Sequence, residues 1–237
     1  MKILRKESNH MKRSQLNAII QDAEQFFAQH CFLLPPWGHW RIEDWEQAEL
    51  SGSEIVSHQL GWDITDFGSE NFGAEGLVLF TIRNGSLEPG GKPYAEKIMI
   101  VNEQQVTPWH YHWKKTEDII NRGGGNLVVR LAGSTPEGEF TQEPLTVMVD
   151  GILRKVGAQE TVTLRPGESI CLPAGMYHTF WSEKGKGRVL VGEVSVVSDD
   201  WNDNRFYKEL PRFPAIEEDV SPHRLLTCDY AARLPIQ

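Results

Sequence analysis

Hydrophobic positions change their period near residue 50. From Ser14 onward, Leu16, Ile19, Ile20, Ala23, Phe26 and Phe27 recur at three- and four-residue steps, the spacing of one face of an amphipathic helix. Ser14 is the candidate N-cap, and Pro35-Pro36 closes the segment. A shorter helix is expected around Ile42 to Ala48, with Trp40 and Trp45 packed on what lies beneath. Beyond about residue 52 the helical period fades. Short apolar or alternating runs separated by Gly, Pro, Asn and Asp replace it: LVLFTIR (77–83), KIMIV (97–101), NLVVRLA (126–132), LTVMV (145–149), ILRKV (152–156), TVTL (161–164) and RVLVGEVSVV (188–197). Asp150-Gly151, between two of these runs, is a two-residue hairpin signal. Many short strands without intervening helices predict a sandwich or closed barrel. After Trp201 the chain reads as loop with a short helix, broken by Pro211, Pro214 and Pro222. The expected organisation is a loose polar extension over 1–13 and one domain over 14–237. That domain has a helical segment at about 14–50, a barrel at about 52–200 and a tail at about 201–237.

Composition narrows the partners. Forty percent hydrophobic residues and eight tryptophans suffice for a substantial core. A net charge of −9 argues against nucleic acid or an anionic membrane as the main partner. Cys31, Cys171 and Cys228 are odd in number, with no C-x-x-C, so no disulfide framework is expected and the cytoplasm is the natural compartment. The N-terminus lacks the apolar run of a secretory signal, and no run is long enough to span a bilayer. A small molecule is the expected partner.

The candidate chemistry lies in TPWHYHWKKTEDIINRGGG, residues 107–125. His110 and His112 are two apart in an extended segment, so both imidazoles project from one face while Trp109, Tyr111 and Trp113 take the other. Glu117 follows at a distance that lets the chain turn and return a carboxylate to the same point. A fourth donor comes from GESICLPAGMYHTFW (167–181), where His178 follows the rigid Pro173-x-Gly175 turn. Isolated histidines such as His10, His30 and His223 read as surface or hydrogen-bonded residues.

The run His110-x-His112-x4-Glu117 with Gly123 to Gly125 resembles the first cupin motif, and Gly167-x5-Pro173-x-Gly175-x2-His178 resembles the second. Gln104 stands where a glycine usually opens the first motif, and Ser182 where an asparagine often closes the second. The resemblance implies a mainly β protein, a cupin jelly-roll barrel with N-terminal helices packed against it and a metal inside its wider mouth. Three imidazoles and a carboxylate suit Mn, Fe, Co, Ni or Zn. Two adjacent free positions for a chelating substrate favour Mn²⁺ over tetrahedral Zn²⁺. The alternative is a cupin without metal that serves as a binding module.

Around this set, Lys114 and Lys115 lie between histidine and glutamate, and Lys115 is the one expected to face inward. Val189, Val191, Glu193, Ser195 and Val197 share one strand face, where a glutamate must be paired or used. Glu193 is therefore either a core carboxylate in an ion pair or a general base whose pKa burial raises. Lys97 is a candidate for a sugar hydroxyl contact, as are Asp203 and Arg205 in DDWNDNRF. Over nearly its whole length the chain resembles the D-lyxose isomerase family of cupins, through TPWHYHWKKTEDIINRGGG, LPAGMYHTFW, GEVSVVSDD and the LPPW…EDW segment at 33–45. That resemblance implies aldose–ketose isomerisation of free sugars, D-lyxose to D-xylulose and D-mannose to D-fructose. It would proceed through a metal-chelated substrate and a cis-enediol, with Glu193 and Lys115 handling the proton, in a homodimer. The rivals are a cupin dioxygenase or decarboxylase, a phosphosugar isomerase, for which Arg154-Lys155 is the nearest phosphate candidate, and a non-catalytic sugar-binding cupin.

Overall fold

The change of period near residue 50 marks the junction between a helical flank and two β-sheets in the computed structural model, which describes residues 10–50 and 53–234. The chain opens with β1 (Met11–Lys12), α1 (Arg13–Gln29), α2 (Ile42–Gln47) and α3 (Glu54–Ser57). Four strands follow: β2 (Gly61–Thr65), β3 (Leu77–Arg83), β4 (Tyr94–Val101) and β5 (Thr107–His112). Next come β6 (Glu117–Gly124), β7 (Leu127–Ala132), β8 (Leu145–Val149), β9 (Ile152–Val156) and β10 (Thr161–Leu164). The fold closes with β11 (Ser169–Leu172), β12 (Tyr177–Ser182), β13 (Val189–Val196), β14 (Asn204–Phe206), β15 (Ile216–Glu217) and α4 (Tyr230–Arg233).

Eight strands form one sheet in the order β2-β3-β4-β13-β6-β11-β8-β9, five form a second, β10-β7-β12-β5-β14, and β1 pairs with β15 apart from both. Their inner faces enclose a core that includes Leu79, Met99, Ile119, Val129, Leu131 and Val191. On the outer face of the larger sheet, Leu16, Ile20 and Phe27 of α1 pack on Trp62, Phe80, Ile98, Ile100 and Leu190. Each fully buried side chain of this size stabilises the fold by about 1.5–3 kcal/mol. KIMIV reads as a continuous apolar run because β4 is covered on both faces, by the opposing sheet and by α1. The result is the expected fold class, a mainly β cupin jelly roll with N-terminal helices on its flank. Among the described residues, no helix is long and apolar enough to cross a membrane.

Several expectations need correction. The proposed extension 1–13 falls largely outside the described residues, but its last three belong to the fold. Met11–Lys12 pairs in parallel with Ile216–Glu217. Arg13 is fully buried and donates to both carboxylate oxygens of Glu218 (2.7 and 2.9 Å) and of Asp229 (2.7 and 3.0 Å). Ser14 is not the N-cap: α1 begins one residue earlier, and Asp219 of the tail accepts from Ser14's N–H (2.9 Å) and hydroxyl (2.6 Å). A carboxylate at a helix N-terminus also complements the dipole there, so the tail supplies what the local sequence does not. Strand β2 had no alternating signature because all five of its residues are buried.

Other local expectations match. Asp150 and Gly151 have φ values of 50° and 74° and join β8 to β9 with Val149 opposite Ile152, a primed hairpin turn. Gln104 adopts φ 58°, the left-handed region a glycine would enter without strain. Gly124 ends β6; at φ 88°, a Cβ there would lie 2.3 Å from the Arg188 carbonyl oxygen.

Candidate active site and metal centre

The donor set assembles where the two sheets face one another. His110 and His112 project inward from β5, while Tyr111 points the other way onto Tyr177, ring centroids 4.7 Å apart. His178 on the neighbouring strand β12 is the direct cross-strand partner of His110. The turn before it is tied to the first motif, since Gly175 donates its N–H to the His112 carbonyl at 2.9 Å. The Nδ1 of His110 faces the Pro108 carbonyl at 2.8 Å, and that of His178 faces Met176 at 3.1 Å. A carbonyl only accepts, so Nδ1 is the donor in both, and each Nε2 turns toward the centre. One ligand atom from each of the three histidines fits within a group less than 4.8 Å across, and these residues can hold a metal ion.

Glu117 approaches two of these imidazoles from the other sheet. Its Oε1 lies 3.2 Å from His178 Nε2 and 3.4 Å from His112 Nε2. Lys115 Nζ is 2.6 Å from Glu117 Oε2, off the hydrogen-bonding direction, so this contact is ionic. Four buried side-chain atoms lack a hydrogen-bond partner among the described residues: Thr107 Oγ1, Glu117 Oε2, His178 Nε2 and Arg212 Nη1. Thr107, Glu117 and Arg212 line one cavity, and His178 stands against it through Glu117. Unsatisfied buried groups cost free energy, so their convergence marks a ligand site. An imidazole nitrogen and a carboxylate oxygen brought this close are donor types that suit a metal cation.

From Glu117 a chain of alternating charge runs outward. Lys115 Nζ donates to Glu193 Oε1 at 2.8 Å, and Lys97 Nζ lies 3.8 Å from the same oxygen. Lys97 also donates to both oxygens of Asp200 at 2.8 Å. Asp200 lies 3.7 Å from Arg212, which donates to Asp63 at 2.6 Å. Burial disfavours the charge of Lys115, but Glu117 and then Glu193 outweigh it and raise the ammonium above the usual lysine range. Burial likewise opposes the charge of Glu117, yet Lys115 and then His112 hold it well below the carboxylate range. Burial, followed by the neighbouring imidazoles of His178 and His112, pushes His110 well below the usual histidine value. In His112 burial and then Lys115 act in the same direction. Neutral imidazoles and an ionised carboxylate are the protonation states that ligate a metal.

Lys97, His110, His112, Lys115, Glu117 and Glu193 all line this cavity. Asp203 and Arg205 do not. Asp203 is buried, and its two carboxylate oxygens accept from the backbone N–H groups of Lys114 (2.9 Å) and Lys115 (3.0 Å). It holds the turn that presents Lys115 and is not free to close over a polyol. Arg205 sits on the outer face of β14, donating to Tyr177 Oη at 3.3 Å and lying over the Trp113 ring at 5.9 Å. Its neighbours Asn204 and Phe206 face the cavity instead. Sequence reasoning missed Thr107, Asp200 and Arg212. Only the density of polar groups in DDWNDN pointed toward Asp200, and nothing marked Arg212.

A family model for D-lyxose isomerase matches residues 11–230. The chain belongs to the D-lyxose isomerase family. It is 50% identical over 222 residues to the D-lyxose/D-mannose isomerase of Escherichia coli O157:H7, covering 92% of this chain and 97% of that one. It is also 50% identical over 225 residues to the protein of the same description from Serratia proteamaculans, covering 93% and 98%. In fold it resembles Acinetobacter sp. DL28 L-ribose isomerase (TM-score 0.60, 14% identity, 88% of this chain and 99% of that one). Cellulomonas parahominis L-ribose isomerase is similar (TM-score 0.56, 18% identity, 89% and 100%).

Proposed function

We propose that the protein is an aldose–ketose isomerase of free sugars, interconverting D-lyxose with D-xylulose and D-mannose with D-fructose. We infer further that it acts in the cytoplasm as a homodimer with a divalent ion, Mn²⁺ foremost. The observation that carries this reading is the Lys115–Glu193 pair, 2.8 Å apart and buried beside the His110, His112, Glu117 and His178 donors. The names of the two half-identical relatives support the substrates. D-lyxose and D-mannose share their configuration from C2 to C4, so a site that reads those carbons accepts both.

His110, His112, Glu117 and His178 would hold the ion. Bound there, it would polarise the carbonyl oxygen and the adjacent hydroxyl and acidify the C–H between them. Glu193 takes that carbon-bound proton and returns it to the neighbouring carbon, passing through a cis-enediol. A positioned base of this kind is worth roughly 10²–10⁴-fold. Lys115, held charged between two carboxylates, supplies a proton to the former carbonyl oxygen and recovers one from the adjacent hydroxyl. Lys97 and Asp200 offer a donor and an acceptor to the sugar's other hydroxyls. The cavity alternates cations with carboxylates rather than gathering the cations a phosphate would need, and Arg154 and Lys155 lie exposed on β9 outside it. Incubating the metal-loaded enzyme with a panel of free aldoses should yield ketose from D-lyxose and D-mannose. A negative panel, or oxygen uptake on sugar addition, would overturn the reading in favour of the oxygenase rival.

A further inference from the structure

The inner cavity shares a wall with a larger neighbour. The inner volume is about 40 Å³, room for roughly three water molecules. Behind one wall lies a second, outer cavity of about 250 Å³. Lys97 and Asp200 line both cavities, Arg212 faces the inner one and Asp63 the outer one. This wall consists of side-chain tips joined by the ion pairs Lys97–Asp200, Asp200–Arg212 and Arg212–Asp63. Its most accessible member is Asp200, whose side chain is 20% exposed. Contacts between side-chain tips open by rotamer change, without unfolding a strand.

The outer cavity has the chemistry of a carbohydrate site. Trp201 lines it, is 57% exposed and is backed by Phe213 with ring centroids 4.2 Å apart. The indole is held in place by its own N–H, which donates to Gln59 at 2.7 Å. His58, Asn84, Asp199 and Asp200 line the same cavity. An aromatic face with clustered hydrogen-bonding groups suits a sugar ring, whose C–H face is apolar and whose rim is hydroxyl-rich. An indole this exposed, in a segment otherwise rich in Asp and Asn, has no role in packing the core.

We propose that the outer cavity is a docking vestibule in which Trp201 seats the closed-ring sugar before it passes the Lys97–Asp200–Arg212 wall into the inner cavity. Sugar hydroxyls donate to and accept from the groups the parted ion pairs leave behind, so passage leaves no buried charge unpaired. An apolar molecule offers no such replacement. The proposal rests on the isomerase reading for its ligand, and its test separates the two. Saturation-transfer NMR on the metal-stripped protein, with D-lyxose and D-mannose as probes, reads docking without turnover. Transfer is expected in the unmodified protein and in Trp201→Phe, and about fivefold weaker transfer in Trp201→Ala. No transfer in the unmodified protein, or undiminished transfer in Trp201→Ala, overturns the vestibule. With metal loaded, Trp201→Ala should lower kcat/KM about tenfold while kcat holds, the mark of lost binding rather than lost chemistry. A fall confined to kcat would also overturn it. If the aldose panel yields no ketose, the isomerase reading fails, while sugar transfer to the stripped protein still decides the vestibule.

Discussion

The Nε2 of His178 and the Oε1 of Glu117 face each other at 3.2 Å, while the Nδ1 of His178 faces the Met176 carbonyl on the far side. Removing one of them tests whether the pair helps to hold a metal ion. His178→Ala should abolish stoichiometric metal content, read by elemental analysis of the purified protein; full retention would break the ligand assignment. The proton-handling role of Glu193 separates cleanly from ligation. Glu193→Gln should keep the metal and the fold but lose roughly 10²–10⁴-fold in kcat. Turnover at the unmodified level would remove Glu193 from the chemistry and leave it as the counter-ion of Lys115 and Lys97.

At the scale of elements, what the sequence disclosed depended on periodicity. Strands β3, β8, β9 and β10 were legible to the residue because apolar runs of limited length are bounded by turn formers. The shared facing of His110 and His112 was legible because strand geometry fixes which way residues two apart must point, and His178 because a Pro-x-Gly turn precedes it. β2 was opaque, since burial on both faces erases alternation. The facing of β14 was equally so, because three residues after an irregular loop carry no phase, and Arg205 was placed on the wrong side for that reason. Ties between distant elements leave no local trace at all. Glu24 of α1 is an example: it lies 3.2 Å from His39, 3.3 Å from His223 and 3.0 Å from Arg224, joining the helix to the following segment and to the tail. Burial alone would raise its pKa, but the attraction of Arg224 and a hydrogen bond from His223 lower it below the usual 4.5. A depressed carboxylate stabilises the fold fully above its unfolded value, and that contribution disappears as the pH falls through the lower folded value. Glu24→Gln should therefore be less stable than the unmodified protein at pH 7, with the gap closing below about pH 4.5. Urea melts across that range would show it, and a gap that stays constant into acid would refute the tie.

The arrangement of the whole molecule gives the metal a structural consequence beyond chemistry. Three of the four proposed donors, His110, His112 and His178, belong to the five-stranded sheet, whereas Glu117 opens β6 of the eight-stranded sheet. An ion held by all four would join the two sheets at the mouth they form. Binding to the folded state alone stabilises by mass action, about 2.7 kcal/mol when free metal is a hundredfold above Kd. For a domain of this length each kcal/mol raises Tm by about 2–4 °C, so Mn²⁺ at that excess should raise Tm by about 5–10 °C. Glu117→Gln keeps the three imidazoles but loses the charged link to the second sheet, so its Tm should gain much less at the same metal concentration. Scanning calorimetry with and without Mn²⁺ decides between a bridge and a site confined to one sheet. An undiminished gain in Glu117→Gln would mean that the histidines of the smaller sheet hold the ion by themselves.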